Sequence, residues 1–280
     1  MPATRVARSG QGPVRIGAVG YLNARPLTWA LDRDPARWHV RYDLPSVCAS
    51  LLQDGEVDLG LIPSIEYLRG PEYQLVPGVG IGSRGPVASV ALYTKRPIEE
   101  VRHIALDTSS RTSVALIRVL CRHHFHTAPE FAPHGPDLAA MTRDFDAGLL
   151  IGDPAFDADH VSLGLTKIDL GEAWSELTGL PFIYAAWTGR RGAIQNDDVK
   201  ALQDAQAEGM RSVDAIAEEY AASRPIAPHE AGRTAARAAA YLRDNVKYGL
   251  GPQEAAGLQL FLDFAADLGL APARRVLEFF

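Results

Sequence analysis

The sequence predicts an α/β protein with two lobes, each a mostly parallel sheet flanked by helices. Two observations predict it. Short apolar segments of the strand type alternate with helical stretches, which is the pattern of βαβ units. This alternation runs through two consecutive sets, which are joined by two extended segments without a long linker. Two units joined in this way leave a cleft between them, and such clefts commonly bind small molecules.

The first set reads strand, helix, strand, helix, strand. Its predicted elements cover residues 14–19, 22–31, 38–42, 45–53 and 57–62. The second helix is predicted to start at Pro45, because proline lacks only an N–H group that the first helical turn leaves unused. The last segment, VDLGLI, is apolar except for Asp58, which is typical of a buried strand.

The second set is predicted to contain three strands, a helix and a helical turn, over residues 101–106, 147–151, 165–170, 110–121 and 153–156. Two strand-like segments, 87–94 and 182–187, join this set to the first. From Asn196 to near Leu270 the chain is alanine-rich and is predicted to be helical.

These elements predict three parts of the chain. Residues 1–12 are expected to form a short disordered leader. Residues 13–92 and 188–280 are expected to form lobe 1, and residues 93–187 are expected to form an inserted lobe 2.

The composition excludes several classes of partner. The 280 residues are 47% hydrophobic and 22% charged, as in globular proteins. The net charge of −6 argues against nucleic-acid binding, which needs a basic surface. No window approaches the roughly 18–20 apolar residues of a membrane helix, and the N-terminus lacks the apolar segment of a secretory signal. We therefore expect a cytoplasmic protein with no nucleic-acid or membrane partner.

No motif in the chain predicts a metal or a cofactor. The two cysteines, Cys48 and Cys121, are far apart in sequence and form neither a disulfide scaffold nor a set of metal ligands. His123, His124 and His126 lie at a predicted helix end, where histidine also suits the helix dipole. Residues 78–85, GVGIGSRG, are predicted to be a Gly-rich loop. A strand follows that loop, so a phosphate-binding loop is not expected.

Two strand-to-helix junctions hold the strongest candidates for ligand binding. In GAVGYLN (17–23), Tyr21 and Asn23 either contact a ligand or belong to a tight turn with Asn23 as the N-cap. In DTSSRTS (107–113), hydroxyls and free backbone amides meet the positive end of a helix and a guanidinium, which suits a carboxylate or phosphate. The alternative for the second junction is a polar cap with Arg111 on a solvated face.

Two further junctions hold weaker candidates. In IPSIEY (62–67), Ser64 either caps the helix or faces the cleft. Glu66 is a candidate acid or base, although a glutamate early in a helix more often compensates the dipole. In IGDP (151–154), Asp153 is the expected helix cap.

Five motifs together are similar to the chorismate dehydratases of the futalosine route to menaquinone. They are VGYLNARPL (19–27), VDLGLIPS (57–64), ALDTSSRTS (105–113), DLGEAW (169–174) and LTGLPF (177–182). The resemblance covers roughly residues 14–270. It implies a type II periplasmic-binding-protein-like fold and conversion of chorismate to 3-[(1-carboxyvinyl)oxy]benzoate with loss of water. It also implies that no metal or organic cofactor takes part.

With chorismate as the substrate, the motifs yield a hypothesis for the site. Asn23 is the candidate catalytic residue. The candidate substrate-binding residues are Tyr21, Arg25, Ser64, Ser89, Thr108, Ser109, Ser110, Arg111, Thr112 and Asp153. One carboxylate of chorismate is expected at the start of the helix that follows residue 107. Asn23, with Ser64 or Ser89, is expected to hydrogen-bond the ring hydroxyl or the enolpyruvyl group.

The proton acceptor is the weak point of this hypothesis. The only nearby titratable candidates are Glu66, Asp107 and Asp153, and each has a simpler structural role. This scarcity suggests a substrate-assisted step, in which the enolpyruvyl carboxylate removes the adjacent ring proton. Two other functions stay open: dihydroxynaphthoate synthase of the same pathway, and a small-anion-binding protein without catalysis. A transcription-factor effector domain is disfavoured by the acidic balance. The chain is expected to be a monomer or a homodimer.

Overall fold

The computed structural model describes residues 12–70 and 72–280. The predicted leader therefore lies, except for Gly12, outside the described residues. Within these residues the strands are β1 Val14–Val19, β2 Trp38–Asp43, β3 Leu59–Pro63, β4 Tyr73–Ser83, β5 Val90–Thr94, β6 His103–Asp107, β7 Glu130–His134, β8 Ala147–Ile151, β9 Thr166–Asp169 and β10 Phe182–Arg190.

The helices alternate with these strands in the first two thirds of the chain and follow one another in the last third. They are α1 Arg25–Thr28, α2 Pro45–Asp54, α3 Thr112–His123, α4 Leu138–Asp144, α5 Gly152–Phe156, α6 Leu170–Thr178, α7 Asn196–Arg211, α8 Val213–Ala222, α9 Ala231–Ala240 and α10 Pro252–Asp267. A π-helical turn, Tyr241–Asn245, continues α9.

The strands form two five-stranded sheets, with the orders β2-β1-β3-β10-β4 and β7-β6-β8-β5-β9. In each sheet four strands point in one direction and one strand is reversed. The reversed strand is β10 in the first sheet and β5 in the second. The prediction of two mostly parallel sheets is therefore confirmed. The inner strands β3 and β8 are buried along their whole length, which explains why they read as continuous apolar runs.

The chain crosses between the sheets twice. It leaves the first sheet after Ser83 and enters the second at Val90, and it returns between Thr178 and Phe182. We propose that the lobes are divided at these two crossings, a few residues before the expected boundaries 92/93 and 187/188. Aromatic packing joins the lobes beside the return crossing, where Trp174 makes edge contacts with Phe182 and Phe261, at centroid distances of 5.3 and 6.2 Å.

The C-terminal part of the chain packs on the first sheet and on helix α3 of the second set. Helix α10 contacts β10 and α3, and α7 contacts β4 and α1. Beyond the π-helical turn, the chain hydrogen-bonds to β4, where the N–H of Gly80 donates to the carbonyl oxygen of Tyr248 at 3.0 Å. The last residues add to the same strand, because the N–H of Leu75 donates to the carbonyl oxygen of Glu278 at 2.9 Å. Lobe 1 therefore holds both ends of the described chain.

Two local predictions are wrong. The helix expected over residues 22–31 is broken into a 3-10 turn at Leu22–Ala24, the single turn α1, and a second 3-10 turn at Leu31–Arg33. The loop expected over residues 78–85 is mostly the strand β4. Glycine is required in it because a β-carbon on Gly82 would lie 2.5 Å from the carbonyl oxygen of Phe182 in β10.

Candidate functional site

A pocket lies between the two sheets and encloses about 480 Å³ of empty space including its mouth. Lobe 1 supplies apolar residues and three polar side chains, and lobe 2 supplies the start of α3 and the start of α5. The lining residues are Val19, Tyr21, Asn23, Pro45, Pro63, Ile81, Tyr184 and Ala185 from lobe 1, and Val90, Ser110, Arg111, Thr112, Ser113, Ile151 and Gly152 from lobe 2. An apolar pocket with a few convergent polar groups is the usual form of a small-molecule site.

The turn before α3 is shaped by Asp107. Its Oδ1 atom accepts hydrogen bonds from the N–H of Ser109 at 2.8 Å and from the hydroxyl of Ser109 at 2.6 Å. Its Oδ2 atom accepts from the N–H of Ile151 on the neighbouring strand at 3.3 Å. Burial raises the pKa of Asp107, and these hydrogen bonds oppose the shift. This carboxylate holds the loop in place and has no atom among the pocket-lining groups.

The start of α3 faces the pocket with its positive end. Arg111 is the N-cap residue, and the hydroxyl of Ser110 just before it accepts from the N–H of Ser113 in the first turn at 3.2 Å. The backbone N–H groups of Arg111 and Thr112 have no hydrogen-bond partner within residues 12–70 and 72–280. Free N–H groups at the first turn of a helix suit an anionic group.

A buried glutamate fixes the side chain of Arg111. Glu66 is only 3% exposed, and its Oε2 atom accepts from Nη1 of Arg111 at 2.9 Å. Its Oε1 atom accepts from Arg69 at 2.6 Å, and Nη2 of Arg111 also donates to Ser50 at 3.2 Å. Both oxygens of Glu66 are therefore engaged, and the guanidinium of Arg111 is held beside the helix start.

Tyr21 and Asn23 enter the pocket from lobe 1. The hydroxyl of Tyr21 donates to Ser109 of lobe 2 at 3.4 Å. Its ring packs against Gly152, whose φ is +60° and where a β-carbon would lie 2.5 Å from the ring. Asn23 lies inside the first 3-10 turn, so the alternative that it caps a helix is wrong. The backbone carbonyl oxygen of Asn23 accepts a hydrogen bond from the hydroxyl of Tyr248 at 3.0 Å.

Asp153 joins the lobes instead of capping its own helix. Its Oδ1 atom accepts from the N–H of Leu22 at 2.9 Å, so it caps the 3-10 turn that carries Asn23. The N-cap of α5 is Ile151, which corrects the expectation that Asp153 caps that helix. Burial raises the pKa of Asp153, and the hydrogen bond from Leu22 opposes the shift. Asp153 is not among the pocket-lining residues.

Five other predicted residues do not line this pocket. Ser64 is buried and donates to the carbonyl oxygen of Ile183 at 2.7 Å, instead of capping a helix. Ser89 is fully buried and accepts from the hydroxyl of Tyr241 at 2.6 Å. Thr108 is exposed on the surface.

Arg25 is the fourth of these residues. It lines a separate cleft with Trp29 and Tyr42, and its guanidinium is 3.9 Å from Glu219. Ser109 is buried behind the pocket and reaches it only through Tyr21. Of the predicted residues, five line the pocket directly: Tyr21, Asn23, Ser110, Arg111 and Thr112.

Sequence reasoning misses three tyrosines at or behind the site. Tyr184 lies on β10, lines the pocket, and shares a 3.0 Å hydrogen bond with Ser83. Its segment is predicted as a strand, and the side of the strand that meets the cleft is not evident from sequence. Tyr241 and Tyr248 come from the alanine-rich C-terminal part, which carries no recognisable motif.

The described part of the chain shows no cluster of three or more side chains that could hold a metal ion. His123 stacks on Phe264 at 4.4 Å, and His124 is 3.3 Å from Glu176. No helix in residues 12–70 or 72–280 is both long and apolar enough to cross a membrane.

Two lobes with a small-molecule pocket between them define the periplasmic-binding-protein-like fold, and solved structures agree. Protein AF1704 from Archaeoglobus fulgidus superposes with a TM-score of 0.68 at 19% identity, covering 92% of this chain and 98% of that chain. The periplasmic aliphatic sulphonate binding protein SsuA from Escherichia coli superposes with a TM-score of 0.66 at 20% identity, covering 95% and 90%. At these identities the likeness establishes the fold.

Sequence comparison places the chain within this fold class. A family described as "Menaquinone biosynthesis" matches residues 14–267. The chorismate dehydratase of Thermus thermophilus is 30% identical over 233 residues, which are 77% of this chain and 84% of the relative. The chain belongs to this menaquinone biosynthesis family.

Proposed function

We propose that this protein is an enzyme of the hydro-lyase class, a chorismate dehydratase. It converts chorismate to 3-[(1-carboxyvinyl)oxy]benzoate and water. The observation that carries the proposal is the meeting of two family motifs in one pocket. Tyr21 and Asn23 of the first motif and Ser110, Arg111 and Thr112 of the second line the same cavity. The similarity to a chorismate dehydratase over most of both chains supports this substrate.

The start of α3 suits one of the two carboxylates of chorismate. The free N–H groups of Arg111 and Thr112 are donors for its oxygens, and the helix dipole adds a partial positive charge. The guanidinium of Arg111 adds a full charge, which Glu66 partly neutralises and holds in position. Hydrogen bonds between charged groups and preorganised donors are the strong ones, so this end of the pocket fixes the orientation of the substrate.

Asn23 acts on the reacting part of the ring. Asn23 lines the pocket from lobe 1 and the start of α3 lines it from lobe 2, so we expect the Asn23 amide to hydrogen-bond the ring hydroxyl that leaves. Holding the substrate and stabilising the departing hydroxyl are the two main contributions, because aromatisation already drives the reaction. The apolar residues Val19, Ile81 and Val90 surround the ring and exclude water.

The proton acceptor is the substrate itself. Each nearby carboxylate of the protein is engaged elsewhere: Glu66 in two ion pairs, Asp107 in the turn before α3, and Asp153 on the N–H of Leu22. The enolpyruvyl carboxylate therefore removes the proton from the ring carbon that bears the ether. The C–H electrons form the new ring double bond, the hydroxyl on the adjacent carbon leaves, and the proton and the hydroxyl together make one water.

This chemistry requires neither a metal nor an organic cofactor in the proposal. The expected absence of nucleic-acid and membrane partners, the cytoplasmic location and the state as monomer or homodimer stay predictions from sequence.

The experiment is to incubate the purified protein with chorismate, without added metal or nucleotide, and to follow products by absorbance and mass spectrometry. We expect an aromatic product lighter than chorismate by one water. The Asn23→Ala variant is expected to lose turnover, and Asn196→Ala serves as the matched control, since Asn196 is exposed at the start of α7. Binding without turnover in the wild-type protein would support a small-anion-binding protein instead. Neither binding nor turnover would direct attention to the naphthoate step of the same pathway.

A further inference from the structure

A carboxylate of lobe 2 holds the turn of lobe 1 that carries Asn23. Asp153 is the second residue of α5, and its Oδ1 atom accepts from the N–H of Leu22 at 2.9 Å. Leu22 is the first residue of the 3-10 turn Leu22–Ala24, and the N–H groups at the start of such a turn find no partner inside it. Asp153 therefore supplies, from the other lobe, the acceptor that this turn lacks.

The turn contributes one residue to the pocket. Leu22 and Ala24 are fully buried in the core, whereas Asn23 between them lines the pocket. The backbone of Asn23 is held from one side by the hydroxyl of Tyr248, which donates to its carbonyl oxygen at 3.0 Å. The bond to Asp153 holds the residue before it. Because Asn23 directly follows Leu22, a displacement of the Leu22 N–H group moves the Asn23 side chain as well.

The other end of α5 is also held by the C-terminal helices. Asp157 directly follows α5, and its carboxylate forms ion pairs with Arg224, and with Arg237 at 3.5 Å. The guanidinium of Arg237 lies 4.0 Å from the centroid of the Phe156 ring, and that ring packs on Tyr241 with the centroids 4.6 Å apart. These contacts join the same two lobes as the bond from Leu22 to Asp153. All of them form only when the lobes lie against each other.

We propose that Asp153 is a positioning residue, which fixes the Asn23 turn through its hydrogen bond from Leu22. The carboxylate belongs to lobe 2, as does the start of α3 where the substrate carboxylate is proposed to bind. The placement of lobe 2 therefore sets the substrate and Asn23 together. The inference rests on the proposed function for its kinetic consequence, while the bond between Leu22 and Asp153 is a property of the unliganded protein.

The kinetic test compares Asp153→Ala with Asp137→Ala. Asp137 is the matched control, because its carboxylate also accepts from a backbone N–H, that of Ala140 at 3.0 Å, within lobe 2 and away from the pocket lining. We expect Asp153→Ala to lower kcat about tenfold, the equivalent of one lost hydrogen bond to a charged group, with an unchanged Kd for chorismate. Asp137→Ala is expected to leave both constants unchanged.

Two further variants separate positioning from acid or base chemistry. Asp153→Asn keeps an oxygen acceptor for the Leu22 N–H and is expected to restore kcat to within about threefold of the wild type. In the Asn23→Ala background, Asp153→Ala is expected to have little further effect, since the positioned group is absent. A loss in Asp153→Asn as large as that in Asp153→Ala, or an undiminished loss in the Asn23→Ala background, would overturn the proposal.

A second measurement tests the hydrogen bond without any activity. Hydrogen exchange of the Leu22 amide is followed by NMR in the unliganded protein, with the amides of the buried strand β3 as the internal reference for folding. We expect this amide to exchange at least tenfold faster in Asp153→Ala and at the wild-type rate in Asp137→Ala. Where Asp153→Ala does not fold, Asp153→Leu takes its place, because leucine has a similar shape and no acceptor.

The exchange rate also separates the inference from the proposed function. An unchanged rate at Leu22 in the variant without an acceptor would overturn the role of Asp153. If the wild-type protein fails to turn over chorismate, the proposed function fails, and the exchange at Leu22 still decides whether Asp153 holds this turn.

Discussion

The contact between Gly152 and Tyr21 joins the two lobes at the pocket, and Gly152→Ala tests it directly. Gly152 starts α5 in lobe 2, with a φ of +60°. A β-carbon there would lie 2.5 Å from Cδ2 and 2.6 Å from Cε2 of the Tyr21 ring in lobe 1. The substitution therefore imposes a backbone strain and a steric clash on a residue that lines the pocket.

The expected magnitude follows from these two effects. A residue with a side chain in the left-handed region costs about 1–2 kcal/mol. Overpacking at a tight contact costs a further ~1–3 kcal/mol, so Gly152→Ala is expected to lower the free energy of unfolding by about 2–5 kcal/mol. The Tyr21 ring must also retreat by about 1 Å to restore normal contact. Displacing a substrate-contacting group by that distance is expected to lower kcat/KM for chorismate by about 10- to 100-fold.

Gly164→Ala is the matched control for the clash. Gly164 has a φ of +65°, and a β-carbon built on it meets no atom within 4 Å. It should therefore cost only the strain of about 1–2 kcal/mol and leave kcat/KM unchanged. Urea unfolding measures the free energies, and steady-state kinetics with chorismate measures the activity. Equal losses of stability and equal kinetics in the two variants would refute the contact between Gly152 and Tyr21.

Three further predictions address the site and the junction of the lobes. Asn23→Ala is expected to lower kcat by about 100-fold or more with little change in the Kd measured by calorimetry, since it removes transition-state stabilisation; unchanged kinetics would remove Asn23 from the site. Glu66→Gln removes the charged hydrogen bond that holds the Arg111 guanidinium, and is expected to raise KM for chorismate by about tenfold at a similar kcat. Complete loss of turnover with intact binding would instead make Glu66 the base. Burial raises the pKa of Asp153, so the stability that it contributes is fully present below its ordinary pKa of 3.8 and is lost as the pH rises through its folded pKa. The difference in unfolding free energy between the wild-type protein and Asp153→Asn should therefore fall as the pH rises in a urea series, and a difference that grows with pH would contradict this.

Two largely buried strands are predicted from sequence with the bounds that the structure shows. Residues 14–19 and 147–151 are predicted as strands, and β1 and β8 have these bounds. The helix predicted at 110–121 is displaced by two residues, because the chain is still in a turn at Ser110, Arg111 is the N-cap and the first helical residue is Thr112. The strand β4 is missed because its glycines resemble a loop. Gly82 is needed because the backbone of β10 comes too close there for a side chain.

The candidate site is predictable in its motifs but not in the direction of each side chain. The junctions after β1 and β6 belong to different sheets, and both line the pocket, through Tyr21, Asn23 and the start of α3. Ligands of α/β proteins commonly bind at the carboxyl ends of strands, which is why these junctions are informative in the sequence. Thr108 lies in the motif 105–113 and Ser89 in the strand-like segment 87–94, and both are predicted to bind the substrate. Thr108 is instead exposed and Ser89 is buried away from the pocket, because both lie in turns beside strands, where the strand alternation does not set the direction of a side chain. Tyr241 is brought in by packing between distant segments, which leaves no local signal.

The pairing of Phe182 with Ser83 in the first sheet has a consequence for protein engineering, because it brings the two crossings between the lobes together. Strands β4 and β10 are antiparallel neighbours, so the whole second sheet, with its helices, occupies the place of a hairpin loop. A short turn could join these two strands directly, and we expect the remaining sheet to keep its strand order. The second lobe is thus an inserted domain, and the two points at which it joins the first lobe lie side by side. Exchanging it for the corresponding piece of another two-lobed protein would replace, in a single graft, the half of the pocket that we propose binds a carboxylate, while Asn23 stays in its own scaffold.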